Sequence, residues 1–207
     1  MLTDNPPPSW FFFDLGNTVV KLAYERVIES ICRNASVTRH ELLELFDEPG
    51  GYRDMERGAR TFMDFHEFLC NEAGYQGDLR TFQNTWSDFF DGTIPGIEDV
   101  LVRVRKKYRL AFLSNSNEIH AEVIPRRFAG LFEKDDRFIF SYRFRVAKPD
   151  PEMFHRALEL VGTTAKSAVL IDDLVENVIA ARGVGMRAFQ FIDTPQLISD
   201  LEAEDLL

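Results

Sequence analysis

An unbroken apolar run, Trp10 to Phe13, stops abruptly at Asp14 in WFFFDLGNTVV. Four large apolar residues without alternation predict a short strand buried on both faces. Gly16 and Asn17 follow as turn formers. Before the run, Pro6, Pro7 and Pro8 predict a loose, extended lead-in over residues 1–9. From about Val19 to Phe90 the pattern becomes helical and no strand is predicted. KLAYERVIESICR carries an apolar stripe of Leu22, Val27, Ile28 and Ile31, and TRHELLELF starts with Thr38 and has Glu41 three residues on, a capping-box pattern. RTFMDFHEFLCNEA and about Leu79–Phe90 are the other two helical stretches. Gly50–Gly51, Gly58 and Gly74–Gly77 break them, and the whole block reads as a small helical domain inserted after the first strand.

Beyond Phe90 strands and helices alternate. Helices are predicted over about Ile97–Lys107, Glu118–Phe128, Pro151–Val161, Leu174–Arg182 and Pro195–Glu204, the third with Asp150 as its N-cap. Strands are predicted over Arg109–Leu113, Arg137–Phe140, Ser167–Ile171 and Met186–Phe191. This alternation predicts an α/β fold, a Rossmann-like parallel sheet covered on both faces, with right-handed crossovers that bring the strand ends to one edge.

Composition narrows the functional classes. The 207 residues carry a formal net charge of −10, which speaks against a broad nucleic-acid footprint but permits a small phosphate held by one Lys, backbone N–H groups and a metal. No apolar run reaches the ~20 residues of a membrane span. The start lacks the basic and apolar segments of a secretory signal, so a cytoplasmic protein is expected. Cys32 and Cys70 fall in apolar helical patterns and are expected to be inert buried thiols. His40, His66, His120 and His155 show no zinc-ligand spacing. There is no GxGxxG, Walker lysine loop or CxxC.

In open parallel sheets ligands sit beyond the carboxyl ends of the strands. The first strand delivers Asp14 to that edge. The second delivers Ser114 and Asn115 in RLAFLSNSN, and the fourth delivers Asp172 and Asp173 in AVLIDD. Lys148 lies between the last two, in VAKPDPEMF. Taken singly, an Asp or Ser-Asn after a strand commonly caps the next helix, and a Lys before Pro is commonly solvated. The acidic pair says more: adjacent carboxylates facing one pocket repel unless a cation is present, and Mg²⁺ suits such oxygen donors.

Together these motifs resemble the haloacid dehalogenase superfamily, most of whose members are Mg²⁺-dependent phosphatases. DLGNT matches its first motif from Asp14 to Thr18, Ser114 the second, Lys148–Pro149 the third, and DDLVEN the fourth, with Asp172, Asp173 and Asn177. The resemblance spans about residues 10–192. It implies a core of residues 10–18 and 91–207, with a helical cap over residues 19–90. Glu56–Arg57–Gly58, with DLGNTVV, looks most like the group that includes alpha-glucose-1-phosphate phosphatases. The implied substrate is a small phosphorylated metabolite, with sugar phosphates among the candidates.

The resemblance implies that Asp14 is a nucleophile forming an aspartyl-phosphate. Mg²⁺ would be held by Asp14, the Gly16 carbonyl and Asp173, with Asp172 direct or one layer behind. Ser114 and Lys148 would bind the phosphoryl group, while Thr18, Asn115 and Asn177 would support the loops. Gly16 departs from the family pattern. Most of these phosphatases have there a second Asp that protonates the leaving oxygen and activates water, help typically worth ~10²–10⁴-fold. His66, Glu56, Tyr24 and Tyr52 of the cap, or water, are candidates to replace it, the alternative being a better leaving group such as an anomeric or acyl phosphate. A haloacid dehalogenase, a phosphotransferase and a non-catalytic regulatory protein are the alternatives. Phe62, Phe65, Phe68, Phe82, Trp86, Phe89 and Phe90 are expected to form the cap core, with one or two lining the pocket. Arg53, Arg57 and Arg60 are either substrate contacts or solvated surface.

Overall fold

The first strand, β1 (Trp10–Phe13), forms the middle of a five-stranded parallel sheet in this computed structural model, which describes residues 7–207. The sheet order is β5 (Arg137–Phe140), β4 (Arg109–Ser114), β1, β6 (Ala168–Asp172) and β7 (Arg187–Gln190). Every side chain of β1 is buried, because helices cover both faces. Phe11 and Phe13 pack toward α6 (Ile97–Arg105) and α10 (Thr194–Ala203). Trp10 and Phe12 pack toward α8 (Pro151–Val161) and α9 (Val175–Gly183). The register sets Phe13 beside Phe112 and Ile171, so the ends of β4, β1 and β6 reach one edge together. The α7 helix (Glu118–Arg127) follows β4, capped by Asn117.

The block after β1 contains strands as well as helices, which corrects the all-helical expectation. β2 (Val20–Leu22) pairs antiparallel with β3 (Phe90–Thr93) as a two-stranded ribbon, and Lys21 and Leu22 belong to that strand rather than to a helix. Between the two run α1 (Tyr24–Cys32), α2 (Arg39–Asp47), α3 (Tyr52–Glu56), α4 (Phe62–Glu72) and α5 (Leu79–Ser87). Thr38 and Glu41 form the expected capping box, and Thr61 and Asp64 form a second. The short α3 was not among the predicted helices.

These helices close over an aromatic cluster. Trp86 lies 5.5 Å from both Phe65 and Phe82, and Phe62 stacks on Phe82 at 4.9 Å. Such pairs add to the burial energy of the rings themselves. Phe68 is only partly buried. Cys32 and Cys70 are free and half-buried rather than buried, and burial raises both thiol pKa values, which keeps them protonated.

Residues 1–6 of the expected lead-in lie outside the described residues. Ser9 is tied down: its N–H donates to the Ser167 carbonyl and its carbonyl accepts from Arg109 N–H, continuing the β1 ladder.

Candidate active site

Lys148 brings the strand ends together. Its ammonium donates to Asp14 Oδ1 at 2.7 Å, to Asp172 Oδ2 at 2.6 Å and to the Leu113 carbonyl at 2.7 Å. An ammonium has three protons, so all are used. The Lys148 backbone is clamped as well. Its N–H donates to Asn115 Oδ1, and Asn115 Nδ2 donates to its carbonyl, both at 2.8 Å. That clamp gives Asn115 a definite structural task.

Burial is the largest influence on Asp14 and pushes its pKa up to about 7, opposed by Lys148 and reinforced by Asp172. Burial also acts against the Lys148 charge, but Asp14 and Asp172 outweigh it and raise the lysine above its usual range. Both directions leave the shared proton on Lys148 in preference to Asp14. Short contacts from one nitrogen to three oxygens fit an ion pair, so we read Lys148 as charged. One cation between two carboxylates leaves negative charge in excess. Asp173 shows the same excess: burial first, then Asp172, push it up to about 6.

Asp172 is completely buried and both its oxygens are engaged. Oδ2 accepts from Lys148, while Oδ1 accepts from Leu174 N–H at 3.0 Å and Asn177 Nδ2 at 2.8 Å. Asn177 Oδ1 is buried and has no partner among the described residues. Asp14, Gly16, Ser114, Asn115, Lys148, Asp173 and Asn177 all line one cavity of about 300 Å³, a size suited to a small ligand. Asp172 sits behind that wall. Thr18 is fully buried away from it, its hydroxyl unpartnered among the described residues.

The turn after Asp14 is tight: Val19 and Val20 N–H both donate to the Leu15 carbonyl, and Asn17 has φ 52°. Gly16 itself needs no left-handed backbone. A Cβ there would lie 3.0 Å from Leu22 Cδ1, so the space beside the absent side chain is held by an aliphatic group.

The rest of the lining comes mainly from the inserted segment and from α7. Tyr24, Tyr52, Arg53, Glu56, Phe89 and Phe90 line it, so two of the cap aromatics do reach the pocket. His66 does not. Its Nε2 lies 2.8 Å from the Gly77 carbonyl, which corrects its candidacy. Arg53 pairs with Asp47, while Arg57 and Arg60 are exposed outside the cavity. His120 also lines the cavity and was missed from sequence. It is buried, its ring stacks on Trp86 at 6.0 Å, and burial pushes its pKa down to about 3 despite the nearby Trp86 backbone. The one available signal was its place on the first turn after the Ser114 strand end.

The site's donor chemistry suits a hard cation: carboxylate, backbone carbonyl, and an orphaned buried amide oxygen that a metal-bound water would satisfy. Among the described residues no cluster of three His, Cys, Asp or Glu side chains is arranged as a ready-made metal cage. Mg²⁺ commonly binds through only one or two carboxylates, with waters and phosphate completing its shell. The residues therefore fit Mg²⁺ and do not suggest zinc.

Comparison with known proteins agrees with this architecture. The D-ribitol-5-phosphate phosphatase of Bacteroides thetaiotaomicron is 21% identical over 188 residues, covering 86% of this chain and 89% of that protein. A HAD family enzyme from the same organism, solved as a magnesium complex, is 26% identical with a TM-score of 0.76, covering 90% of this chain and 94% of that one. A predicted HAD-like family hydrolase from Porphyromonas gingivalis has a TM-score of 0.80 at 21% identity, covering 96% and 98%. The family model for haloacid dehalogenase-like hydrolases matches residues 9–185. With the parallel sheet, the inserted cap region and the motifs at the strand ends, this chain belongs to the haloacid dehalogenase-like hydrolase family.

Proposed function

We propose that this hydrolase is a Mg²⁺-dependent phosphatase acting on a small phosphorylated metabolite through an aspartyl-phosphate. The observation that carries the reading is the Asp14–Lys148–Asp172 bridge at the floor of the cavity. It presents one Asp14 oxygen to Lys148 and leaves the other without a hydrogen-bond partner among the described residues. That free oxygen is the attacking atom. Ser114, whose hydroxyl here donates only weakly at 3.3 Å to the Asn115 carbonyl, turns to a phosphoryl oxygen. Lys148 offsets the charge that develops as the P–O bond breaks.

Asp14, the Gly16 carbonyl and Asp173 would hold Mg²⁺, with Asp172 acting through water because its oxygens are occupied. The ion supplies charge neutralisation for nucleophile and phosphoryl group when bound. Asn177 fixes Asp172, and Thr18 supports the turn from inside. The same reading divides the chain into a core of residues 10–18 and 91–207 and a cap of residues 19–90. The acidic cavity wall and the polyol-phosphate relative favour a hydroxylated phosphate ester. An alpha-glucose-1-phosphate-type substrate is one member of that class.

The test is Mg²⁺-dependent turnover across sugar 1-phosphates, polyol phosphates and aryl phosphates. Asp14→Asn is expected to fold normally and to lose at least about 10³-fold in kcat on each active substrate. Retained activity in that variant would overturn Asp14 as the nucleophile.

A further inference from the structure

Gly16 leaves proton transfer without an owner, and the cavity wall narrows the choice. We propose that Glu56 is the catalytic acid–base: it protonates the leaving oxygen and then deprotonates the attacking water. This rests on the phosphatase reading above. Glu56 lines the same cavity as Asp14, Ser114 and Lys148, and reaches it from α3 of the inserted segment rather than from the sheet edge. Among the described residues no cation lies within ion-pair distance of it. Arg53, its neighbour on α3, is engaged by Asp47 instead.

The core holds this residue in place. Ser141 Oγ donates to the Glu56 carbonyl at 2.5 Å and accepts from Ser116 N–H at 2.9 Å. Two residues on, Gly58 has φ +66°, and a Cβ there would lie 2.0 Å from the Tyr142 carbonyl. The end of α3 thus rests directly on core backbone, and glycine is what permits the approach. Glu56–Arg57–Gly58 therefore seats a carboxyl in the wall of the cavity that Asp14 also lines.

The other wall groups are poorly matched to the task. Burial raises the phenols of Tyr24 and Tyr52, so neither becomes a base near neutral pH. His120 is held neutral, with its pKa near 3, and cannot donate as an imidazolium. Burial raises Glu56, opposed by the Tyr52 hydroxyl and by Arg53, Lys148 and Arg57. A carboxyl shifted upward is the direction a general acid requires.

The two steps balance. Asp14 forms a bond to phosphorus as the ester P–O bond breaks, and the departing oxygen takes its electron pair and the Glu56 proton. Glu56 carboxylate then takes a proton from water, whose oxygen attacks phosphorus. The bond from phosphorus to Asp14 breaks, leaving inorganic phosphate, free Asp14 and protonated Glu56.

The experiment follows the first turnover of ring-substituted phenyl phosphates with Mg²⁺, in wild type, Asp14→Asn and Glu56→Gln. Glu56→Gln is expected to lose ~10²–10⁴-fold on phenyl phosphate but about tenfold or less on 4-nitrophenyl phosphate, whose leaving group needs no proton. Its phenyl phosphate rate should also lack the wild-type fall at alkaline pH. Equal losses on both esters, in a protein with the wild-type unfolding midpoint, overturn Glu56, as does no loss at all. Should Glu56→Gln not fold, wild type alone decides. An alkaline fall for phenyl but not 4-nitrophenyl phosphate supports the proposal, and matching profiles overturn it. An active Asp14→Asn instead overturns the phosphatase reading, whatever Glu56→Gln does.

Discussion

At the floor of the cavity, Asp14, Ser114 and Asp172 leave three adjacent parallel strands, and one lysine ties two of them together. At the roof, Tyr52 and Glu56 hang from a helix of five residues whose end leans on a single core turn. The floor is positioned by sheet register, so its groups are placed as accurately as the strands that carry them. The roof meets the core backbone through one hydroxyl and one close approach at Gly58, and its Tyr52 packs within the insert on Phe46, Phe65 and Trp86. On the proposed phosphatase reading, such a site keeps its attacking and phosphate-binding groups fixed and entrusts its contact with the leaving group to a small element of the insert. On that reading, variation in the roof is expected to change which ester is cleaved without disturbing the attack.

The strongest way to break that contrast is Lys148→Met. It leaves Asp14 and Asp172 buried without their shared cation, and is expected to cost about 3–5 kcal/mol of stability. Chemical denaturation measures this directly. A loss under about 1 kcal/mol would show that the floor does not depend on the bridge.

Gly58→Ala attacks the roof in the same currency. Its positive φ and the Tyr142 carbonyl leave no room for a Cβ, so a loss of about 1–3 kcal/mol is expected. Because α3 must shift, kcat for poor leaving groups should fall further than kcat for good ones. A variant equally stable and equally active would show that the Tyr142 contact does not hold α3 in place.

Gly16→Asp probes the boundary between the two regions. The nearest obstacle is the far end of the partly exposed Leu22 side chain, which has room to move. In the Glu56→Gln background, turnover of phenyl phosphate should rise at least about tenfold more than that of 4-nitrophenyl phosphate. Equal changes would show that proton transfer does not limit the reaction.

His120→Phe is the mildest change. The imidazole has a folded pKa near 3 against an unfolded value of about 6.5, so its neutral form is favoured in the folded protein. That stability is present above pH ~6.5 and is lost as pH falls toward 3. Between pH 7 and 4.5 the wild type should therefore lose about 2 kcal/mol relative to the variant, read from paired urea titrations. Parallel titrations would place the His120 charge outside the folding equilibrium.

The floor was legible in the sequence because each of its elements announces itself locally. Trp10–Phe13 has the bounds expected of it, as do Arg137–Phe140 and the Pro151–Val161 helix with its Asp150 cap. A polar residue ending an apolar run also marks its own place on the sheet edge. The roof was less legible for physical reasons. β2 is three residues long, and its partner FDGT contains a charge and a glycine, so neither carries a strand's alternation. Their pairing joins segments some seventy positions apart, which no local pattern encodes. α3 is one turn and a half long behind two glycines, too short for a periodic stripe. Glu56, Tyr24 and Tyr52 were legible as candidates, but choosing among them and rejecting His66 needed the cavity wall. His120 was hidden because its partners, Trp86, Phe89 and Phe90, come from the inserted segment.

Ser141 has one proton and two acceptors within reach, the Glu56 carbonyl at 2.5 Å and the Ser116 carbonyl at 3.4 Å. When α3 lies on the core, the proton goes to α3. Were α3 to lift, a rotation of one hydroxyl would hand the proton back to Ser116 without leaving a stranded donor. This one fastening, among others such as Phe62 N–H to Glu118 and Trp86 on His120, is of a kind that resets itself: parting it leaves no stranded donor, and the next closure finds the hydroxyl within a single bond rotation of its mark. On the proposed reading an ester must enter and two products must leave each cycle, and such a fastening favours repeated opening over permanent closure.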